Sequence, residues 1–228
     1  MAGQKAASAA EARDQDRRKT ILRAAVEVFA RKGYHGCRIA DVAKEAGVAY
    51  GLVYHYFRNK EELLQLVFEA GWGGFLARIR DAAEMNASLE AKIQRIAQVA
   101  FEAYRIDPRG VRVLVLEFAR SPSAGEANRR TAFAEVLGIL TRMFEKARSR
   151  GELREGLEPA LCAAMLFGSV EMSLTSLVMG LLDPRDPSLL TQAQGQLTSL
   201  FLDGVRAAVA AERRRRPERV RLKPVKRS

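Results

Sequence analysis

The sequence predicts an all-α protein, with a three-helix domain that contains a helix-turn-helix at its N-terminal end and a longer helical domain after it. Apolar residues make up 48% of the 228 residues, which is enough to build a sizeable core. The chain uses Ala, Leu, Glu and Arg more than β-branched and aromatic residues, and this bias favours helices. No alternation of apolar and polar residues is long enough to predict a strand.

The apolar periodicity and the turn signals divide the chain into nine predicted helices. In the first, the apolar stripe from Ile21 to Phe29 follows the helical period and Gly33 ends the helix. Asn59 is expected to cap the fourth, whose first turn holds Glu61 and Glu62. The predicted ranges are 17–32, 39–46, 50–57, 60–84, 88–105, 109–119, 125–150, 159–182 and 187–211.

Positive charge is concentrated at the two ends of the chain. The net charge is +11, of which residues 1–60 carry +6, residues 61–211 carry −2 and residues 212–228 carry +7. We therefore predict a disordered N-terminus (1–16), a basic helical domain that contains the helix-turn-helix (17–62), a near-neutral helical domain (63–211) and a basic disordered tail (212–228). The tail either adds weak, sequence-independent affinity for DNA or only keeps the chain in solution.

Several classes of function find no support in the sequence. Cys37 and Cys162 stand far apart and in no metal-ligand spacing, so neither a metal nor a disulfide is expected. No nucleophile motif, phosphate loop or pair of catalytic acids is recognisable, and we expect neither enzyme activity nor a cofactor. The apolar stretch 160–182 has the length of a membrane span, but Glu171 near its middle favours a helix at a subunit contact. No signal peptide is recognisable, so the expected location is the cytoplasm.

Residues 39–57, IADVAKEAGVAYGLVYHYF, have the pattern of two short helices joined by a tight turn. Ala43 is small enough for two helices to cross, Gly47 can adopt the positive φ of the turn, and Val53 can pack the second helix onto the first. Such a unit places its second helix in the major groove of DNA, where a helix fits and base edges are distinguishable. The motif therefore predicts a DNA-binding protein.

Residues 17–70 resemble the DNA-binding end of the tetracycline-repressor (TetR) family. The resemblance rests on the first-helix stripe, Gly33-Tyr34, the segment IADVAKEAGV, Gly51, YHYF at 54–57 and NKEELL at 59–64. It implies an all-helical homodimer whose N-terminal domains bind a palindromic operator in double-stranded DNA. It also implies that residues 17–62 are the DNA-binding domain and that residues 63–211 are the ligand-binding and dimerisation domain, whose small effector usually relieves repression.

The second helix of the motif carries most of the expected DNA contacts. Tyr50, Tyr54 and His55 can direct polar groups at base edges or phosphates, and a half-buried Tyr54 is the alternative. Gly51 either lets the backbone approach DNA or packs tightly against the first helix. The full set of expected DNA-binding residues is Arg38, Ala49, Tyr50, Gly51, Tyr54, His55 and Lys60.

Four positions beside that helix bear on phosphate binding. Arg38 and Lys60 are expected to contact phosphates, the latter together with the N-terminus of its helix. The family usually has Thr where this chain has Cys37, and Ser or Thr where it has Ala49. Both residues would cap helices and contact phosphates, so two such contacts are expected to be missing here.

The C-terminal helices are expected to enclose an apolar effector cavity. Glu117 lies in an otherwise apolar run, so it either pairs with Arg120 or orients a ligand. The expected ligand-binding residues are Phe101, Tyr104, Glu117, Phe118, Arg120, Phe144 and Phe167, and further candidates for the lining are Trp72, Phe75, Met143, Met165 and Met172.

Residues 113–121 and the segment MLFGSVEMSLTSLVM resemble the fatty-acid-degradation repressors of the same family. This second resemblance implies a long-chain acyl-CoA as the small apolar effector, with Arg105, Arg109 and Arg112 near its phosphates. Two alternatives stay open. One is a multidrug or aromatic-compound sensor that controls an efflux operon, and the other is an architectural DNA binder without sequence specificity.

Small residues recur every four positions in the helix predicted at 159–182, and such a stripe lets two helices approach closely. The last predicted helix adds apolar residues, so we expect a four-helix contact between two copies of the chain. The expected interface residues are Ala160, Ala164, Gly168, Ser176, Leu197 and Phe201.

Overall fold

The computed structural model describes residues 2–118, 126–183, 186 and 188–206, without the side chains of residues 2–10, 117–118 and 126–129. Within these residues the fold is nine α-helices and one π-helical segment, and the predicted all-α class is confirmed. The helices are α1 (Ala2–Gly36), α2 (Ile39–Ala46), α3 (Tyr50–Tyr56), α4 (Lys60–Glu84), α5 (Leu89–Ile106), α6 (Pro108–Arg112), α7 (Glu126–Ser149), α8 (Pro159–Val178) and α9 (Leu189–Val205). The π-helical segment is Val113–Phe118, directly after α6.

Helices α1 to α3 pack around one core, to which the start of α4 contributes. The stripe of α1 is buried there, with Ile21, Val28 and Phe29 fully enclosed. Gly33, at a φ of 72°, interrupts α1 near the predicted position. Gly47 has a φ of 66°, and the N–H of Val48 donates to the carbonyl of Ala43 at 3.0 Å. This left-handed cap produces the tight turn that the sequence predicts between α2 and α3.

The remaining helices build a second core, which is the body of the C-terminal domain. Its fully buried centre combines α5, α7 and α8 through Ile93, Leu140, Phe144 and Leu166. A smaller apolar cluster joins the end of α5, α6, the π-helical segment and the second half of α8. Helix α4 runs from the first core to the second, and Asn59 caps its N-terminus by accepting the N–H of Glu62 at 2.8 Å.

The structure differs from the predicted elements in three places, the smallest of which is the end of α8 at Val178 instead of residue 182. Residues 2–16 continue α1, where the sequence predicts disorder. The physical reason is tertiary: the hydroxyl of Tyr56 donates to the Asp14 carboxylate, and the Arg18 guanidinium lies 5.5 Å from the centre of the Phe57 ring. The helix predicted at 109–119 is instead the short α6 and the π-helical segment. Residues 119–125 and 207–228, including the predicted basic tail, lie outside the described residues.

One face of α8 is left uncovered in the single chain. Leu161, Met165 and Met172 are 59%, 63% and 62% exposed, and they alternate with small residues along the helix. Among the described helices, α8 has the length and apolar composition of a membrane span. A helix at a subunit interface meets the same two criteria, and an exposed apolar face of this size is typical of a protein–protein contact.

Candidate DNA-binding and effector sites

Helix α3 presents one face to solvent and the other to the core. Val53 and the following Phe57 are buried, whereas Tyr50 is 53% exposed and Tyr54 is 46% exposed. The Tyr50 hydroxyl donates to that of Tyr54 at 3.3 Å, and their rings meet edge to face with centroids 5.2 Å apart. The hydrogen bond between the two hydroxyls raises the pKa of Tyr54. A tyrosine hydroxyl is protonated at neutral pH in any case, so Tyr54 can donate to a phosphate or base. The exposed position of Tyr54 goes against the half-buried alternative.

The exposed face of α3 continues through Gly51 and His55. A Cβ atom added at Gly51 would meet no atom within 4 Å, so packing against α1 is not the reason for a glycine there. The interpretation that remains from the sequence is close approach of the helix backbone to DNA. Tyr56, by contrast, is half-buried and is held by Asp14.

The cap that Cys37 does not provide is supplied by Asp41. Arg38 is the N-cap of α2, and its backbone N–H donates to the Asp41 carboxylate at 2.9 Å. Lys32 contacts the same carboxylate at 2.7 Å. The hydrogen bond from Lys32, followed by that from the Arg38 N–H, lowers the pKa of Asp41. The Arg38 side chain is exposed, whereas Cys37 is buried and Ala49 caps α3 without a side-chain hydrogen bond.

Lys60 occupies a different environment from the one expected of a phosphate contact. Its ammonium donates to the carbonyl oxygens of Tyr34 and Cys37 at 2.8 and 3.1 Å, and it lies 4.3 Å from the centre of the Tyr34 ring. The side chain therefore ties the start of α4 to the turn between α1 and α2. In this geometry Lys60 supports the DNA-binding domain from within, and the expectation of a direct phosphate contact is not supported.

A cavity of about 510 Å³, called the effector cavity below, lies between the two cores. Its wall is mostly apolar and draws on α1, α4, α5, α6, the π-helical segment, α7 and α8. Leu22 and Val26 from α1 contribute to it, so the DNA-binding domain forms part of the wall. Five aromatic side chains also line it: Phe68, Trp72, Phe75, Phe133 and Phe167.

The structure divides the expected ligand-binding residues into three groups. Phe167 lines the effector cavity, as do Trp72 and Phe75. Phe101, Met143 and Phe144 instead pack in apolar clusters, and buried Tyr104 donates its hydroxyl to the carbonyl of Leu177 at 3.5 Å. The further candidates Met165 and Met172 are exposed on α8 and do not line the cavity. The side chains of Glu117 and Phe118, and all of Arg120, lie outside the described residues.

Leu22 and Val26 are among the lining residues that the sequence analysis missed, together with Phe68 and Phe133. Leu22 and Val26 are half-buried on α1, four residues apart and beside the fully buried stripe. The signal was an apolar surface on α1 wider than a three-helix core needs.

Some of the charged side chains near the effector cavity form ion pairs or hydrogen bonds with the described part of the chain, and others do not. Arg78 pairs with Glu102 at 2.9 Å, whereas Arg23 and Glu171 make no ion pair or hydrogen bond with any residue that the structure describes. Of the arginines expected near phosphates, Arg109 pairs with Glu27 on α1 at 2.6 Å. Arg112 donates to the carbonyl of Val178 at 3.0 Å, and Arg105 is exposed.

The expected interface residues fall into an exposed and an inward-facing set. Ala160, Ala164 and Gly168 are exposed on α8, in line with the predicted stripe, and Ser176 is half-buried further along the helix. Leu197 and Phe201 are half-buried and packed against the core, and the Phe201 ring lies 6.1 Å from that of Phe144. The outward-facing apolar residue of α9 is instead Leu200, which is 76% exposed.

Comparison with known families accounts for most of the chain. The profile of bacterial regulatory proteins of the tetR family matches residues 21–67. The profile of the C-terminal region of YsiA-like proteins matches residues 68–183. Among characterised relatives, the fatty acid metabolism regulator protein of Bacillus subtilis is 32% identical over 159 residues, which is 70% of this chain and 82% of that protein.

Solved structures give the same result. The fatty acid degradation regulator FadR from Bacillus halodurans is similar with a TM-score of 0.74 and 28% identity, over 82% of this chain and 95% of that one. The transcriptional regulator FadR from Bacillus subtilis, solved in complex with stearoyl-CoA, has a TM-score of 0.72 and 29% identity, over 82% and 98% of the two chains.

Proposed function

Since this chain belongs to the TetR family of bacterial regulatory proteins, we propose that it is a repressor that leaves its operator when a long-chain acyl-CoA occupies the effector cavity. As a member of that family it is a dimeric, DNA-binding transcriptional regulator, and its relatives are regulators rather than enzymes. We assign it no catalytic activity. We place its action in the cytoplasm, where its operator would be.

The observation that carries this proposal is the position of the effector cavity. Its volume of about 510 Å³ and apolar wall suit a flexible hydrocarbon chain. The cavity is also bounded by Leu22 and Val26 of α1, so an occupant would contact the DNA-binding domain directly. The FadR protein of Bacillus subtilis, a relative of similar fold, binds stearoyl-CoA.

The phosphates of an acyl-CoA need cationic side chains to bind them, and Arg23 is a candidate beside the effector cavity. Arg23 is exposed at the rim and makes no ion pair with a described residue. Its guanidinium can bind a phosphate with two parallel hydrogen bonds. We therefore assign to Arg23 the role that the sequence suggested for Arg105, Arg109 and Arg112. Arg109 is paired with Glu27, Arg112 donates to the carbonyl of Val178, and Arg105 does not line the cavity.

On the DNA side, we assign base and phosphate contacts to the exposed face of α3. Tyr50, Tyr54 and His55 would enter the major groove, and Gly51 would allow the backbone to come close. Arg38 would contact a flanking phosphate.

An occupant that moves α1 and α4 would change the separation of the two α3 helices of a dimer. Half-sites about 34–36 Å apart would then no longer match both helices. By linkage, the acyl-CoA and the operator must weaken each other's binding by the same factor.

The test is operator binding by fluorescence anisotropy at fixed salt, with stearoyl-CoA, free CoA or no addition. We expect stearoyl-CoA to lower operator affinity by about tenfold or more and free CoA to leave it unchanged. Loss of operator binding with free CoA, or no loss with stearoyl-CoA, would contradict the proposed effector.

A matched pair of variants locates the effect in the cavity. Ala103 lines the effector cavity, whereas Ala77 is exposed on α4 and does not line it. We expect Ala103→Phe to fill the cavity and abolish the response to stearoyl-CoA while operator binding persists. Ala77→Phe, with the same added ring, should respond as the unmodified protein does.

A second candidate function is favoured by the aromatic lining. Trp72 stacks on Phe68 with centroids 5.5 Å apart, and Phe75 and Phe133 lie 5.7 and 6.3 Å from it. Such a group of rings could bind a planar aromatic compound, as a sensor controlling an efflux operon would. Release of the operator by a planar aromatic dye, and not by stearoyl-CoA, would establish this alternative.

A further inference from the structure

Helix α4 contains an unusual concentration of glycine at its centre. Residues 70–74 read AGWGG, so three of five consecutive residues, Gly71, Gly73 and Gly74, are glycines inside a 25-residue helix. Glycine is the least favourable helix residue after proline, because it loses the most backbone entropy on folding. A cluster of this kind makes the helix locally weak.

Packing does not explain the glycines. A Cβ atom added at Gly73 or Gly74 would meet nothing within 4 Å, and one at Gly71 would lie in ordinary contact with Leu114, at 3.5 Å. None of the three has a positive φ. Alanine would therefore fit at these positions and would strengthen the helix, so the glycines are unfavourable for the straight helix that the structure shows.

The glycine segment separates two anchored halves of α4. The N-terminal half buries Leu63, Leu64, Val67 and Phe68 in the core of the DNA-binding domain, and the C-terminal half buries Leu76, Ile79, Ala82 and Ala83 in the second core. Between these halves, Glu69, Ala70 and the three glycines are exposed, whereas Trp72 and Phe75 are half-buried and Trp72 packs against both cores. If each half stays packed in its own core, a change in the angle between the two domains requires α4 to bend in this segment.

The same segment forms part of the effector cavity. Gly71, Trp72 and Gly74 line it, and Leu114 opposite Gly71 belongs to the π-helical segment. A π-helix is a rare departure from the α-helix that is found mostly at functional positions. The cavity thus lies between two helical segments that are each less stable than regular α-helix.

We propose that residues 70–74 are a hinge at which α4 bends when the effector cavity is filled, so that the DNA-binding domain turns relative to the C-terminal domain. This inference rests on the proposed function, since it needs an effector in that cavity. The glycines lower the free energy of the bent state relative to the straight one. Replacing them with alanine should make release of the operator harder without removing a contact to DNA.

The experiment measures operator affinity against stearoyl-CoA concentration for Gly73→Ala, which does not line the cavity, and for the double variant Gly73→Ala/Gly74→Ala. Glycine and alanine differ in helix propensity by about 1 kcal/mol, which is about fivefold in an equilibrium constant. If the bend breaks helical structure here, each substitution should therefore reduce the effector-induced loss of operator affinity by about fivefold. The matched control is Gly138→Ala in α7, where a Cβ would meet only the end of Arg142 at 3.5 Å. Stearoyl-CoA should release this control from the operator to the same extent as the unmodified protein.

Two further measurements keep this test separate from that of the proposed function. Calorimetric titration with stearoyl-CoA measures effector binding itself; normal binding with unchanged release in the double variant would overturn the hinge. Hydrogen exchange in the absence of any effector tests it even if acyl-CoA proves to be the wrong ligand. We expect the amides of residues 71–75 to exchange faster than those in both anchored halves, and to slow in the double variant. Equal protection along the whole of α4 would overturn the hinge.

Discussion

Lys60 shows how one charged side chain can hold three helices of the N-terminal domain together. Its ammonium bridges the carbonyls of Tyr34 and Cys37, which places the start of α4 against the turn between α1 and α2. The sequence revealed a lysine at a helix N-terminus, a common phosphate ligand, but it could not reveal two carbonyl oxygens from residues more than twenty positions earlier. Whether the Lys60 ammonium binds a phosphate or these two carbonyl oxygens depends on tertiary structure.

The first prediction concerns the stability that Lys60 provides. Lys60→Met removes hydrogen bonds from a charged donor to Tyr34 and Cys37, and we expect the free energy of unfolding to fall by about 1.5–3 kcal/mol. Lys44→Met is the control, because Lys44 is exposed on α2 and should change stability by less than about 0.5 kcal/mol. Urea denaturation of both variants measures the difference. Equal stability would show that Lys60 faces solvent.

Lys92 presents the opposite case, a charge whose burial is unfavourable. It is only 5% exposed on α5, it makes no ion pair with a described residue, and burial, then the charges of Arg150 and Lys146, lowers its pKa. A lysine with a lowered pKa in the folded state destabilises that state wherever its side chain is protonated. We therefore expect Lys92→Met to raise the free energy of unfolding at pH 7.

The pH dependence gives the Lys92 prediction its control. The gain in the free energy of unfolding from Lys92→Met should be constant near neutral pH. It should shrink as the pH rises toward about 10.4, the ordinary lysine pKa, because Lys92 is then increasingly neutral in both the folded and the unfolded state. Thermal melting at pH 7 and pH 9.5 compares the variants. A gap that widens with pH would show that the charge is stabilised in the fold.

At the scale of elements, helix α3 separates two kinds of DNA contact. If Tyr54 donates to a phosphate, Tyr54→Phe should weaken binding to operator and unrelated DNA by the same factor, since a phosphate carries no sequence information. If His55 contacts a base edge, His55→Ala should weaken operator binding by about 1–3 kcal/mol and leave unrelated DNA unaffected. Competition binding with operator and unrelated DNA measures, for each variant, the ratio of its affinities for the two. If His55→Ala weakens binding to operator and to unrelated DNA equally, His55 contacts the DNA backbone instead of a base.

The helix boundaries were predictable because their causes are local. Asn59 caps α4 and Gly47 ends α2 through bonds that span three to five residues, and such signals are visible in the sequence. The effector cavity was not predictable to the same degree. Apolar periodicity marks Phe144 and Phe167 alike, but one packs in the core and the other lines an empty space. Periodicity reports which face of a helix avoids water and not what lies opposite.

For the whole molecule, the uncovered face of α8 and the membership in a dimeric family point to one arrangement. The exposed methionines Met165 and Met172 flank the stripe of Ala164 and Gly168, and Leu200 of α9 is exposed as well. A face that combines small and flexible apolar residues can pack closely against a second copy of itself around a two-fold axis. The same axis would relate the two α3 helices, which matches the symmetry of a palindromic operator.

The last prediction tests that arrangement. Met165→Arg would bury an unpaired charge in each half of a symmetric contact, so we expect the protein to become monomeric while it keeps its helical content. A monomer binds one half-site instead of two, and operator affinity should fall by about 10²–10⁴-fold because the second binding event is no longer intramolecular. Ala77→Arg adds the same charge to the exposed surface of α4 and should remain dimeric. Sedimentation gives the oligomeric state and anisotropy gives the affinity. A dimeric Met165→Arg protein with full operator affinity would move the interface away from this face of α8.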